Sequence, residues 1–362
     1  MKKNIKAVKP ATKTSLITYA IVAVLFLIVI IMDATGAMSS LFRGLLVPIC
    51  TYAILAVSLN LVVGILGELS LGHAGFMCVG AYASAFFSVL TEDTITNAWI
   101  RFPLALIIGG ISAAIFGIII GIPVLRLKGD YLAIVTLAFG EIIKNIVTVL
   151  YVGIDSKGLH FSAESSMALG LEPDGKNIIK GALGITGMPK DSNFYIAFAI
   201  LLVTLIVAYN LVNSRSGRAI MSIRDNRIAA ESIGINVTKY KLIVFALSAF
   251  FAGLAGVLYS HNLSSLTANT NNFGYNMSIL ILVIVVLGGI GSIRGSVISA
   301  IILTALPELL RSVKEYRMLV YAIVLIAMMI FNNSEKTKNL RSSISLKKFA
   351  EAKLKTRKGG TK

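Results

Sequence analysis

NSRSGRAIMSIRDNRIAAESIGINVTKYK, residues 213–241, is a polar and basic segment that separates two almost purely apolar runs, 194–212 and 242–259. Each run approaches the ~20 residues that a helix needs to cross the hydrocarbon core of a bilayer. The polar segment cannot lie in that core, because polar and irregular backbone groups would lack hydrogen-bonding partners there. It therefore lies outside the membrane, between two membrane-spanning helices.

The segment itself contains the signals of a short helix. Ser222 and Asp225 have the spacing of a capping box, and Gly234 is a residue type that commonly ends helices. Four apolar residues recur between these limits at helical spacing: Ile223, Ile228, Ala229 and Ile233. This pattern predicts one amphipathic helix at the membrane surface, available to a partner.

The composition places the chain among integral membrane proteins. Apolar residues make up 56% of the chain and charged residues only 14%, whereas a soluble domain has about 25% charged residues. The net charge of +17 does not indicate nucleic-acid binding, because most Lys and Arg lie in the two tails and in residues 213–241, as orientation determinants do. Cys50 and Cys78 lie in apolar runs and form neither a disulfide framework nor a metal-binding spacing.

The apolar runs predict an all-α, polytopic integral membrane protein with about eight to ten transmembrane helices. The candidate spans are 16–32, 45–66, 71–90, 102–125, 131–152, 194–212, 242–259, 277–287, 297–310 and 318–331. The last three are short, so a re-entrant or broken helix is an alternative there. Residues 16–32 could be a secretory signal, but the run exceeds the ~7–15 apolar residues of a signal core, so we expect a retained span.

The positions of Lys and Arg predict the orientation, because cytoplasmic segments carry an excess of both. We expect a basic cytoplasmic N-terminal tail at 1–15, a transmembrane domain at 16–331 and a basic cytoplasmic C-terminal tail at 332–362. Within the domain, the loop 213–241 then faces the cytoplasm and the loop 153–192 faces outward. The C-terminal tail is expected to bind anionic headgroups of membrane lipid.

A membrane enzyme would need a cluster of catalytic groups, and the sequence pattern does not indicate one. His73, His160 and His261 are far apart in the chain, which contains no HExxH motif and no serine in a nucleophile elbow. We therefore expect no catalytic, cofactor-binding or metal site in this chain.

Polar residues within the predicted spans are the candidates for a translocation pathway. Glu141 and Lys144 stand three residues apart in one predicted helix, where they can neutralise each other or contact a substrate. Asn60 is typical of a hydrogen bond between helices, with a pathway role as the alternative. A glycine-rich junction at 64–76 is either a closely packed turn or irregular backbone that lines a pathway. Its polar candidates are Glu68, Ser70 and His73.

Four sequence blocks, taken in order, resemble the LivM-type permease subunits of branched-chain amino acid ABC importers. The blocks are SLNLVVGILGELSLGHAGFMCVGAY at 58–82, LRLKGDYLAIVTLAFGEI at 125–142, GRAIMSIRDNRIAAESIGINVTKYKLIVFALSAFFAGLAGVLY at 217–259 and LGGIGSIRG at 287–295. The similarity covers about 48–331. It implies the ABC importer permease fold in a bacterial inner membrane, and translocation of Leu, Ile and Val.

The resemblance also implies partners. These are a second permease subunit, two cytoplasmic ATPase subunits that bind the ATP, and an extracytoplasmic amino-acid-binding protein; no cofactor in this chain and no nucleic acid are implied. The loop 213–241 would be the segment that couples to the ATPase. The coupling residues implied are Ser222, Arg224, Asp225, Asn226, Arg227, Ala229, Ala230, Glu231 and Gly234. The external loop is longer than the family leads us to expect, and the C-terminal tail has no evident counterpart.

Two other functions stay open at this point. Permeases of the same superfamily carry urea, other amino acids or sugars. An ion-coupled secondary transporter would need no ATPase, but it would need several intramembrane carboxylates, and the predicted spans offer chiefly Glu141.

Overall fold

The computed structural model describes residues 39–310, apart from 128, 174 and the side chain of 41, together with scattered residues within 22–35 and 319–326. The predicted tails at 1–15 and 332–362 lie outside the described residues, as does most of the predicted span at 318–331. The chain divides into two compact units, Met1–Ala305 and Leu306–Lys362, and the sites considered below belong to the first.

Helices form most of the described chain. They are α1 (Ser40–Asn60), a π-helical segment that continues it (Leu61–Leu66), α2 (His73–Leu90), α3 (Ala98–Val124), α4 (Asp130–Val149), α5 (Phe194–Asn213), α6 (Arg215–Asp225), α7 (Arg227–Ser232), α8 (Val237–Ser260), α9 (Tyr275–Gly288) and α10 (Ile293–Leu309). Several helices begin at a side-chain cap: the Asn97 side chain accepts a hydrogen bond from the Trp99 N–H, and Asn236 accepts one from Lys239. These caps satisfy N–H groups that a helix leaves unpaired at its first turn.

Six helices in the described part of the chain are long and apolar enough to cross a membrane. They are Phe42–Leu66, His73–Leu90, Ala98–Val124, Asp130–Val149, Phe194–Asn213 and Val237–Ser260. Tyr275–Gly288 is apolar but shorter, like the span predicted at 277–287. Part of Val22–Met32 is also helical. The predicted helical, polytopic membrane class is confirmed, with α4 ending at Val149 rather than at 152 because the chain then enters a strand.

Small residues allow α3 and α8 to pack closely against each other. Gly109, Ala113 and Gly117 lie on the buried side of α3. A Cβ added at Gly253 of α8 would lie 2.5 Å from the Ala113 Cβ, and one added at Gly117 would lie 2.6 Å from the Ala249 Cβ. Close approach of backbones is how helices associate in lipid, where no hydrophobic force drives them together.

The predicted external loop contains a small five-stranded sheet, which the sequence did not lead us to expect. Its strands are β1 (Tyr151–Asp155), β2 (Gly158–Ser162), β3 (Lys176–Lys180), β4 (Ile185–Thr186) and β5 (Ser265–Leu266), in the order β2-β1-β3-β4-β5. All the pairings are antiparallel. Since β5 follows α8, the sheet joins two loops that are distant in sequence.

Polar contacts attach this sheet and its loop to the membrane helices. The buried Arg101 of α3 forms an ion pair with Asp191 at 2.8 Å, just before α5 begins. The Tyr82 hydroxyl donates a hydrogen bond to the Leu266 carbonyl oxygen of β5 at 3.2 Å. Within the sheet, Asp155 accepts hydrogen bonds from the Lys157 N–H at 2.9 Å and from His160 Nε2 at 3.0 Å.

Candidate coupling site and intramembrane polar groups

The segment 213–241 forms two short helices instead of the single one predicted. Ser222 lies inside α6, where its hydroxyl donates to the Ala219 carbonyl oxygen, so it is not a helix cap. The break falls at Asn226, whose side chain accepts a hydrogen bond from the Ala229 N–H and so caps α7. An Asn cap favours extended backbone at its own position, and this turns the chain between the helices. Gly234 follows α7 with φ of 84°, a left-handed conformation that suits glycine, as predicted.

The apolar residues of this segment do not share one face, which corrects the single amphipathic helix of the sequence analysis. Ile223 and Ala230 are buried with Val237 in a small cluster within this chain. Ile228 is 79% exposed and Ile233 is 74% exposed. The surface left for a partner therefore consists of Ile228 and Ile233, with the exposed Ala229 between them, and Ala230 does not belong to it.

The charged residues of the segment also divide into two sets. Arg227 and Glu231 pair along α7 at 2.9 Å. Arg224 forms an ion pair with its neighbour Asp225 at 3.1 Å. Arg224 is the one of these that reaches the membrane helices, because its Nη1 donates a hydrogen bond to the Gly64 carbonyl oxygen at 3.0 Å.

Arg224 meets the membrane domain at its π-helical segment. All six residues of Leu61–Leu66 are buried, and the segment ends at Gly67, which has φ of 81°. A Cβ at Gly67 would lie 2.5 Å from the Arg224 Cγ, so glycine leaves the space that this side chain occupies. π-Helical turns are rare and occur frequently at functional sites.

Asn60 connects the π-helical segment to the glycine cluster at 287–295, the last of the four sequence blocks. Its Oδ1 accepts a hydrogen bond from the Gly291 N–H at 2.8 Å, and its Nδ2 donates to the Ser296 hydroxyl at 2.9 Å. A Cβ at Gly64 would lie 2.6 Å from the Gly291 Cα. The chain turn between α9 and α10 is thus packed directly against the segment that Arg224 contacts.

The junction at 64–76 is closely packed within this chain, and a pathway role for its polar residues stays a prediction. Glu68 forms an ion pair with Lys241 at the start of α8. His73 is buried and lies 2.7 Å from the Ser58 hydroxyl. Ser70 is also buried, and its hydroxyl has no hydrogen-bond partner among the described residues. The Glu68 ion pair and the His73 contact stabilise the turn against its neighbours.

Glu141 and Lys144 form the predicted ion pair, with Lys144 Nζ 2.5 Å from Glu141 Oε2. The second carboxylate oxygen, Oε1, accepts a hydrogen bond from the Tyr275 N–H at 2.7 Å. The pair therefore joins α4 to the first residue of α9. Within the described part of the chain, the Glu141–Lys144 pair makes no hydrogen bond or ion pair with Glu68, Ser70 or His73, the pathway candidates of the 64–76 junction.

Comparison with known proteins shows the family of the chain. The profile of the family described as branched-chain amino acid transport system / permease component matches residues 40–331. This chain belongs to that family. The permease is 34% identical over 307 residues to the high-affinity branched-chain amino acid transport system permease protein LivM of Salmonella typhimurium, covering 82% of this chain and 70% of the relative. The LivM protein of Escherichia coli K12 is 34% identical over 341 residues, covering 90% and 77%.

More distant relatives of the permease include the ribose import permease protein RbsC of Haemophilus influenzae. It is 27% identical over 297 residues, covering 80% of this chain and 83% of the relative. No solved structure matches the chain. The predicted resemblance is confirmed, and the relatives are transport permease components rather than enzymes.

Sequence reasoning missed several residues of the permease that complete these contacts. Lys241 was counted only as an orientation charge, yet its side chain is 4% exposed and pairs with Glu68. Gly291 lay in a recognised glycine cluster, whereas Ser58 and Ser296 carried no signal of their own. Their partners lie at least fifteen positions away, and periodicity reports only local faces.

Proposed function

We propose that the chain is the membrane-spanning permease subunit of an ABC importer that moves branched-chain amino acids into a bacterial cell. The observation that carries the proposal is the 34% identity to two LivM proteins over 82% and 90% of this chain. The ribose permeases, at 27% and 28% identity, are more distant. The substrate class therefore follows the LivM proteins.

The geometry of α6 and α7 supports coupling to separate ATPase subunits, which bind and hydrolyse the ATP. Ile228 and Ile233 present an exposed apolar surface, and an amphipathic helix of this kind fits a groove on a partner. On the other side, Arg224 contacts the buried Gly64. A movement of the ATPase would thus reach the membrane helices through contacts within this segment.

The remaining partners follow from the same proposal. A second permease subunit completes the membrane part, and an extracytoplasmic amino-acid-binding protein delivers the substrate. The five-stranded sheet is proposed to face outward, where it gives that protein a folded surface to contact. The loop 213–241 and both tails are proposed to face the cytoplasm of a cell whose plasma membrane the protein crosses.

Reconstituted transport tests the proposal. The permease is co-expressed with its companion permease and ATPase subunits, placed in proteoliposomes, and supplied with the binding protein and radiolabelled leucine. We expect ATP-dependent uptake of leucine, isoleucine and valine that persists when an ionophore removes the ion gradients. Uptake of ribose or urea in place of leucine would contradict the substrate, and uptake driven by an ion gradient without ATP would contradict the mechanism.

A further inference from the structure

A group of polar side chains lies where α4 meets the beginning of α9, and we call it the polar seam: Glu141, Lys144, Asn271 and Asn276. At 1.5 Å per residue, Glu141 is about 16 Å from Asp130 and about 12 Å from Val149 along α4, near the middle of the helix. The Tyr275 N–H is bonded to Glu141, so α9 begins at the same depth. The Asn276 side chain donates to Asn271 Oδ1 at 2.9 Å.

The polar seam is open at the surface of this chain. Asn271 and Asn276 are exposed, and the side chains of Glu141 and Lys144 retain 24% and 12% of their accessible surface. Ionisable and polar groups at this depth almost always face a bundle interior or a water-filled cavity, since lipid cannot solvate them. The seam therefore faces the inside of the assembled transporter.

The backbone around the seam has the form that transporters use for substrate sites. Residues 267–274 are non-helical, and α9 has only 14 residues, so this part of the chain enters the membrane as irregular backbone before a short helix. Irregular backbone at membrane depth is tolerated where it is buried in protein or lines a cavity. Short, interrupted helices of this kind point to a substrate site near the midplane.

We propose that the polar seam contacts the charged groups of the transported amino acid, with Glu141 facing its α-ammonium and Lys144 facing its α-carboxylate. This inference rests on the proposed function. An amino acid is a zwitterion, so it can replace the Glu141–Lys144 contact by two ion pairs without adding net charge to the site. The Tyr275 N–H holds one carboxylate oxygen of Glu141 in place while the lysine, which reaches Glu141 through a flexible side chain, turns to the substrate. A sugar or urea carries no pair of opposite charges that could replace this ion pair.

The half-exposed apolar residues beside the seam fit the other part of such a substrate. Tyr275 is 45% exposed and Ile279, one turn further along α9, is 44% exposed. Both are on α9, whose first N–H group is bonded to Glu141. They offer apolar surface to a branched aliphatic side chain while the seam contacts its charged end.

Cysteine accessibility in the reconstituted complex tests whether water reaches the polar seam. Asn276→Cys should react with a small charged thiol reagent about ten times faster than Ile111→Cys, a control near the middle of α3 that is 48% exposed. The native Cys50 and Cys78 are buried, so their background reaction is low. Equal, slow reaction at both positions would overturn the inference, because the seam would then be a dry contact between subunits.

The charge pair is tested by comparing assembly with transport. Each single change, Glu141→Gln or Lys144→Met, leaves one charge without its partner. The amount of assembled complex with the companion subunits should therefore be lower. The double variant should recover assembly, measured as co-purification with the companion subunits. If the pair contacts substrate, leucine uptake by the double variant should still be lower by about tenfold or more.

The result separates this inference from the function on which it rests. If the wild-type complex takes up leucine and the assembled double variant does so at the same rate, the proposed substrate contact is wrong. The proposed function is unaffected by that result. Absence of leucine uptake by the wild-type complex would instead overturn the proposed function.

Discussion

The Arg224 guanidinium donates a hydrogen bond to the Gly64 carbonyl oxygen at 3.0 Å, which joins α6 to the buried π-helical segment of the membrane domain. Gly64 in turn packs against Gly291, and Asn60 bonds the Gly291 N–H. A series of direct contacts therefore leads from the coupling segment to the turn between α9 and α10. Whether these contacts carry the coupling energy is an experimental question, because proximity alone is not coupling.

The first prediction concerns Arg224. Arg224→Ala should leave the complex assembled and its basal ATP hydrolysis within about twofold of wild type. The hydrogen bond that it removes, from Arg224 to the Gly64 carbonyl oxygen, lies within this chain and not at a subunit interface. Leucine uptake, and the stimulation of ATP hydrolysis by loaded binding protein, should fall about tenfold. Arg227→Ala is the matched control, since Arg227 pairs with Glu231 along α7. Equal losses in both variants would show that Arg224 acts only through surface charge.

The second prediction separates the docking surface from the interior of the coupling segment. Ile228→Glu should leave the permease folded, because Ile228 is 79% exposed, but it should weaken co-purification of the ATPase subunits. Ala230→Glu should instead unfold the segment locally, because it places a charge among Ile223 and Val237. Limited proteolysis of 213–241 distinguishes the two. Resistance of the Ala230→Glu variant to the protease would contradict the buried position.

A third prediction uses Gly234 to test how helix α7 is held. A side chain at Gly234 meets no atom within 4 Å, so a substitution there acts only through the left-handed backbone, with φ of 84°. Gly234→Val should cost about 1–2 kcal/mol in local stability. Gly234→Asn should cost less, since asparagine visits this region more readily. Hydrogen exchange of the α7 amides measures the difference, and equal exchange in both variants would contradict it.

The fourth prediction is the acid sensitivity of the five-stranded sheet. Burial opposes ionisation of Asp155, but hydrogen bonds from the Lys157 and Glu172 N–H groups and from His160 outweigh it and lower its pKa. The pKa of Glu172 is lowered by the Lys157 ammonium and the Ser156 hydroxyl.

Because both carboxyls bind protons less readily in the folded sheet, their stabilising effect is complete above their unfolded pKa values, near 4. It is lost as pH falls through the lower folded values. The protection of the β1 and β3 amides, taken relative to their intrinsic exchange rates, should therefore fall below about pH 4, and Asp155→Asn should flatten this dependence. An unchanged pH profile in that variant would contradict the assignment.

The fifth prediction is the orientation in the membrane. In intact cells, an impermeant thiol reagent should label Ser165→Cys in the loop that carries the sheet and should not label Ser216→Cys in α6. The charge distribution motivates this expectation. Both positions are partly exposed, so access through the membrane decides the result. Labelling of Ser216→Cys from outside would contradict the predicted orientation.

The sequence by itself determined the class of the protein, most of its membrane helices and the place of the polar segment 213–241, whose coupling role stays a prediction. Apolar runs of membrane length specify helices with little ambiguity, because lipid leaves backbone groups no other way to be satisfied. The ion pair of Glu141 and Lys144 was also readable, since residues three apart share a helix face. Gly234 was readable as a helix end because its backbone conformation is local.

Only the tertiary structure decided which side chains meet across helices and which face a partner. The break at Asn226, the inward position of Ala230 and the contact of Arg224 with Gly64 depend on how α6 and α7 pack against the π-helical segment. The five-stranded sheet likewise pairs β4 with β5, which come from two loops separated by the whole of α5 through α8. Periodicity reports the faces of one helix, whereas these arrangements arise from long-range packing, which no local pattern encodes.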